Sequence, residues 1–288
     1  MADPAQRRFR RRRAGVGRRQ VLAVAPVAPR AVVVVPLSAG DADHGLYCAR
    51  PPGIPRHEMA SGFGERRAAG TLPFPDRAAA GLLLGEELAG SYSGPAALYP
   101  ERAVVAALPR GGVAVGREVA ACLSAPLEVL VTRKIGHPDE PELGLGAIAE
   151  GGTPVFDDEM LSRVGLVPSD LDGVIERERA ELARRVLVYR GGRPPPDFAK
   201  RCVIVVDDGL ATGVTARAAL RAVRAGDPAR VVLAVPVASP QAVEALKAET
   251  DEVVTLVTPR RFRSVGEWYA EFGQLTDADV LTLLAAPR

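Results

Sequence analysis

Two adjacent carboxylates, Asp207 and Asp208, follow directly on four apolar residues, Val203-Ile204-Val205-Val206, and precede a run of small and hydroxyl-bearing residues. The apolar run reads as a buried strand, and in open α/β sheets ligands settle just beyond the carboxyl ends of strands. In the turn that follows, the backbone N–H groups of Ala211, Thr212, Gly213 and Val214 can converge on a phosphate, with the hydroxyls of Thr212 and Thr215 as further donors. The helix expected from Thr215 adds the positive end of its dipole. The two acids would repel that phosphate, so they suit a different task, accepting hydrogen bonds from sugar hydroxyls one ribose-length away. A plainer use of the same residues is an Asp pair capping a helix.

Two more segments could handle an anion. Leu108-Pro109-Arg110-Gly111-Gly112 follows a second apolar run, and glycines allow close backbone approach while Arg110 can grip an anion through two parallel N–H bonds. A glycine-rich helix start beside a surface arginine would look the same. Between Arg133 and Gly152 the chain is expected to form a long loop, because three glycines and two prolines fall between Arg133 and Gly146. Arg133 and Lys134 stand at its base, as charge-neutralising cations or as a solvated basic pair. Phe262, Trp268, Tyr269 and Phe272 lie in a chain poor in aromatics. They could stack on a planar base or fill a small separate core.

The thirteen residues Val203 to Thr215 resemble the signature of type I phosphoribosyltransferases: four apolar residues, two acids and a small-residue phosphate loop. The resemblance extends from about Phe74 to the C-terminus and implies an α/β fold, a mainly parallel central sheet flanked by helices with a small C-terminal hood. It implies that Asp207 and Asp208 hold the ribose 2′ and 3′ hydroxyls of 5-phosphoribosyl 1-pyrophosphate (PRPP). Ala211, Thr212, Gly213, Val214 and Thr215 would hold the 5′-phosphate. Arg110, Gly111 and Gly112 would form the pyrophosphate loop, with a cis peptide expected around Arg110–Gly111. Arg133 and Lys134 would belong to a mobile catalytic lid, and the aromatic tail to the hood over the acceptor. The implied reaction moves the phosphoribosyl group to a nitrogen acceptor and releases pyrophosphate, with Mg2+ carried by PRPP and no direct protein ligand assigned. A regulator that senses PRPP without turning it over is the alternative. Gly209 departs from the pattern, since many members carry an apolar residue there, and is expected to loosen the turn.

The elements needed to position these residues can be read from hydrophobic patterning. Short β-branched runs alternate with amphipathic stretches, the mark of a parallel sheet covered by helices. Strands are expected at Ala103 to Leu108, Leu127 to Thr132, Cys202 to Val206, Arg230 to Pro236 and Glu252 to Thr258. Helices are expected after Pro75-Asp76 as far as Gly90, from Gly112 to Leu123, after a Ser169-Asp170 cap as far as Gly191-Gly192, from Thr215 to Arg224 and from Pro240 to Ala248, with a helical tail between Val265 and Leu284.

Composition narrows the function classes. The 288 residues are 47% hydrophobic, enough for a sizeable core. Cys48, Cys122 and Cys202 form no CxxC pair and the three histidines are scattered, so neither a zinc site nor a disulfide framework is indicated. The formal charge of +2 divides into +7 over residues 1–60 and −5 over the rest. An acidic body argues against nucleic acid as a partner of the main domain. The Arg- and Pro-rich head from 1 to 60 fits a disordered or spurious extension, an export signal around Arg18-Arg19 or a basic arm, with Met59 as a candidate start, and the folded domain is expected over 65–288. Prolines 26, 29 and 36 break the apolar stretch from Val21 to Leu37, so no membrane span is expected. A cytoplasmic location fits, and a homodimer is left open. Gly111-Gly-Val-Ala-Val-Gly116 lacks the GxGxxG spacing of a dinucleotide site, and no GxxxxGK[ST] loop is present.

Overall fold

The computed structural model describes Val33–Val34, residues 74–91 and residues 103–285. Apart from that two-residue strand, the readings of the head lie outside the described residues. The valine- and alanine-rich runs form a six-stranded parallel sheet built from β1 (Val33–Val34), β2 (Ala103–Ala107), β3 (Leu127–Val129), β7 (Cys202–Val206), β8 (Arg230–Val237) and β9 (Glu252–Val257), in the order β1-β9-β8-β7-β2-β3. All five residues of β2 and of β7 are buried, as strands covered on both faces require.

Helices α1 (Arg77–Ser91) and α2 (Gly111–Leu123) cover one face. Leu84, Leu88, Val115 and Val119 pack there on Val105, Ile204, Val232 and Val254. On the other face lie α5 (Val214–Ala225) and α6 (Pro240–Leu246), whose Ala216, Leu220, Val223 and Leu246 meet Val104, Val203, Val205 and Leu233. Neighbouring strand residues thus serve opposite layers, the period-2 geometry of a strand.

The second unit corrects the expected long loop. Thr132 to Gly152 is mostly an antiparallel hairpin, β4 (Thr132–Gly136) with β5 (Gly144–Ala149), joined by β6 (Val155–Phe156) into a three-stranded sheet. Its prolines and acids are confined to the turn, where the His137 N–H donates to the Leu143 carbonyl at 2.8 Å. The strand expected at Leu127 to Thr132 therefore stops at Val129 in the main sheet, and Thr132 opens the hairpin.

Behind this unit pack α3 (Asp158–Val164), α4 (Asp172–Arg190) and α7 (Asp277–Ala285) through Leu161, Ile175, Leu182 and Val280. Ser169 and Asp170 do not cap α4. They sit in a 3-10 turn, Pro168–Leu171, where the Asp170 carboxylate accepts the Val167 N–H.

Candidate functional site

The sheet changes winding direction between β2 and β7: the chain passes from β2 outward to β3 on one side and from β7 outward to β8 and β9 on the other. Such a switch point opens a crevice at the carboxyl ends of the two strands. Ala107 pairs with Val206, and the Leu108 N–H donates to the Val206 carbonyl at 2.8 Å, so the loops after β2 and β7 leave the sheet side by side. The Pro109–Arg110 peptide is cis, one bond earlier than expected. Gly111 and Gly112 then press against the acids. A Cβ on Gly111 would fall 1.8 Å from Asp208 Oδ2, and one on Gly112 would fall 2.9 Å from Asp207 Cα. No larger residue fits either place.

The two acids have different surroundings. Asp208 Oδ2 accepts from Arg77 Nε at 2.8 Å, while Arg77 Nη1 donates to the Gly273 carbonyl at 2.9 Å and the guanidinium lies 3.9 Å from the Phe272 ring centroid. The Tyr269 hydroxyl donates to the Asp208 backbone carbonyl at 2.6 Å. Asp207 accepts the Asp208 N–H on Oδ1 at 2.8 Å. Burial, then the neighbouring Asp208 charge, pushes the Asp207 carboxyl well above the ordinary carboxylate range, against the pull of Lys134 and Arg77. Burial raises Asp208 as well, opposed chiefly by its hydrogen bond from Arg77.

Beyond the acids, Ala211 and Thr212 are exposed and α5 begins at Val214 after Gly213, whose φ of 77° lies in the left-handed region. No side chain caps this helix and no acid occupies its first turn. Ser239 fixes the loop from below: its hydroxyl donates to the Ala211 carbonyl at 2.6 Å and accepts the Ala242 N–H at 3.0 Å, capping α6. Gly209 stands in the turn itself. It is where the C-terminal segment closes on it, since a Cβ there would lie 2.6 Å from Val265 Cγ1.

The three cations separate. Arg133 and Lys134 are consecutive on β4 and so face opposite ways. The Arg133 Nε bonds Glu178 Oε2 of α4 at 2.7 Å, while Lys134 is exposed and its charge reaches both acids. Arg110 lies 3.9 Å from Asp277 Oδ1 of α7, beside the 2.5 Å hydrogen bond from the Tyr189 hydroxyl to that same oxygen. Burial, then that bond, pushes Tyr189 up to about 12. The structure thus brings Gly111, Gly112, Lys134, Asp207, Asp208 and residues 211–215 to one crevice and turns Arg133 toward α4.

The hood is built from both ends of the domain. Phe74 forms a parallel bridge with Tyr269, and Ala270 and Glu271 donate to the carbonyls of Phe74 and Pro75 at 2.8 Å each. Tyr269 lies 5.4 Å from Phe74 and 5.0 Å from Phe272, ring to ring; Phe74 and Tyr269 are part of the main core and Phe272 packs against it. Phe262 and Trp268 are half-buried against the main core. Arg77 and Ser239 are the site residues that sequence reasoning missed. Ser239-Pro240 is a readable helix start, whereas Arg77 carries no local signal.

Comparisons with known proteins identify the family. The family described as "Phosphoribosyl transferase domain" matches residues 86–267. Two curated Mycobacterium tuberculosis proteins, each named "Putative phosphoribosyl transferase", Rv0571c of strain H37Rv and MT0597 of strain CDC 1551, are 43% identical over 211 residues, 73% of this chain. The chain spans about half the length of these relatives, 46%. Among solved structures, TT1426 from Thermus thermophilus is 45% identical, with a TM-score of 0.59 over 73% of this chain and 97% of its own.

Proposed function

The chain belongs to the phosphoribosyl transferase domain family, and from that membership we propose that it transfers the phosphoribosyl group of PRPP to a nitrogen acceptor, releasing pyrophosphate. The observation that carries this reading is the continuous stretch from Asp207 to Thr215, which places two carboxylates and an uncapped helix N-terminus at the switch-point crevice. The α5 N-terminus and the N–H groups before it suit the 5′-phosphate. Asp207, whose carboxyl is not paired with Arg77, is the acid better placed to accept from a ribose hydroxyl.

In the transfer, the acceptor nitrogen forms a bond to the anomeric carbon as the carbon–oxygen bond to pyrophosphate breaks. The electron pair leaves with pyrophosphate, and the acceptor gives up its N–H proton to solvent. The protein's share is positioning and charge: the loop after β2, whose Gly111 and Gly112 press against the acids, would meet the leaving group, and Lys134 is the cation set to meet the charge that develops on it. Among the described residues no group of three His, Cys, Asp or Glu is arranged to hold a metal ion. Magnesium fits as an ion carried on the oxygens of PRPP beside Asp207, where it would neutralise pyrophosphate charge.

Two measurements test the reading. Calorimetric titration with Mg-PRPP should show binding that Asp207→Asn with Asp208→Asn abolishes, and unchanged affinity would defeat the site assignment. Pyrophosphate release on adding an acceptor then separates an enzyme from a PRPP-sensing regulator.

A further inference from the structure

The span from Thr258 to Val265, Thr-Pro-Arg-Arg-Phe-Arg-Ser-Val, holds three arginines and no acid. It leaves the sheet at the end of β9, two strands from β7, and strands lie about 4.8 Å apart. It returns to β7, because Val265 packs where a Gly209 side chain would stand. The span therefore crosses the carboxyl end of β8 and reaches that of β7, at the edge of the crevice. Phe262 packs inward on the core, while Arg260, Arg261 and Arg263 are all exposed, and none of the three has an ion-pair partner among the described residues. At the foot of the span the Thr258 hydroxyl is buried with no hydrogen-bond partner among the described residues.

Several arginines elsewhere on this surface are paired with carboxylates: Arg163 with Glu159, Arg179 with Glu176, Arg184 with Glu181 and Asp277, Arg221 with Glu249, Arg224 with Asp251. Three unpaired guanidinium groups on one short span of a domain that is otherwise net acidic form a local field for an anion. The anions of the donor already have places, the phosphate at α5 and the pyrophosphate between Gly111-Gly112 and Lys134. Resting on the proposed transfer, we infer that the acceptor is itself anionic, a nitrogen compound bearing a carboxylate or phosphate that Arg260, Arg261 and Arg263 bind through paired N–H donors.

The test uses the full chain and two triple variants, Arg260→Gln/Arg261→Gln/Arg263→Gln and the charge-preserving Arg→Lys set at the same positions. Mg-PRPP affinity is measured by calorimetry, and pyrophosphate release is followed with adenine and uracil as neutral acceptors and orotate, nicotinate and anthranilate as carboxylate-bearing ones. Release is expected with one or more anionic acceptors and not with the neutral ones. The Gln variant should raise KM for the anionic acceptor by about tenfold or more, with kcat and PRPP affinity unchanged. The Lys variant should recover most of that loss. Release with neutral acceptors, an unchanged KM in the Gln variant, or loss of PRPP affinity in that variant would overturn the inference, the last because the arginines would then serve the donor. So would PRPP binding without release from any acceptor, which leaves the donor site standing. Absence of PRPP binding to the wild-type chain would instead defeat the proposed function itself.

Discussion

Asp208 serves the hood as much as the crevice. Its carboxylate holds Arg77, its carbonyl holds Tyr269, and through Arg77 it reaches Gly273 and Phe272. Arg77 and Asp208 are only 12% and 16% exposed at their side chains, so removing one leaves the other poorly solvated. Arg77→Ala is expected to lower stability by about 2 kcal/mol in urea unfolding, and to weaken PRPP binding because Asp208 and the loop around it lose their fixed position. Arg77→Lys, which keeps charge but not the second bond, should fall between. A wild-type unfolding curve and PRPP affinity for Arg77→Ala would remove the latch. The acids themselves were legible in the sequence because strand, acids and turn are contiguous. Arg77 was not, since 131 residues separate it from Asp208 and no spacing announces a contact made by folding.

At the scale of elements, the phosphate loop is shaped by the strand next door. Ser239, buried at the end of β8, ties the Ala211 carbonyl to the start of α6, and Leu210 bridges to Ala238 beside it. Ser239→Ala removes a buried hydroxyl that both donates and accepts, and should cost about 1–2 kcal/mol. PRPP affinity should drop with it, by calorimetry, while Ser239→Thr keeps both bonds. Loss of stability with intact affinity would show that Ser239 only caps α6. Strands such as β2 and β7 were readable because a parallel strand covered on both faces is an unbroken apolar run. The β4–β5 hairpin was not, because Gly136, Gly144 and Gly146 read as breakers. For Gly136 and Gly146 the reason is spatial: a Cβ would lie 2.3 Å from the Pro141 carbonyl oxygen and 2.6 Å from the Val155 carbonyl oxygen of β6, respectively. Pairing across a turn supplies the order that local propensity denies.

For the whole molecule, a site built this way works against the fold that carries it. The carboxyl of Asp207 is raised in the folded protein by burial and by Asp208, while in the unfolded chain it returns to about 3.9. The folded state therefore binds the proton more tightly than the unfolded state. Stability must then fall as pH climbs from the ordinary carboxylate value through the raised one, and stay reduced above it. Asp207→Asn removes that ionisation with little change of shape. Its melting temperature should exceed that of the wild type at pH 7–8, and the gain should fade as pH drops below about 4, where the wild-type carboxyl is protonated in both states. Asp208→Asn should gain less, because it also gives up the ion pair with Arg77. Thermal melts of the three proteins across pH 3–8 decide the matter: a wild-type-minus-variant difference that is flat with pH would mean that Asp207 is not held against its charge. A gain for Asp207→Asn at neutral pH, in a variant that no longer binds PRPP, would identify the acid pair as a place where stability is given up for ligand.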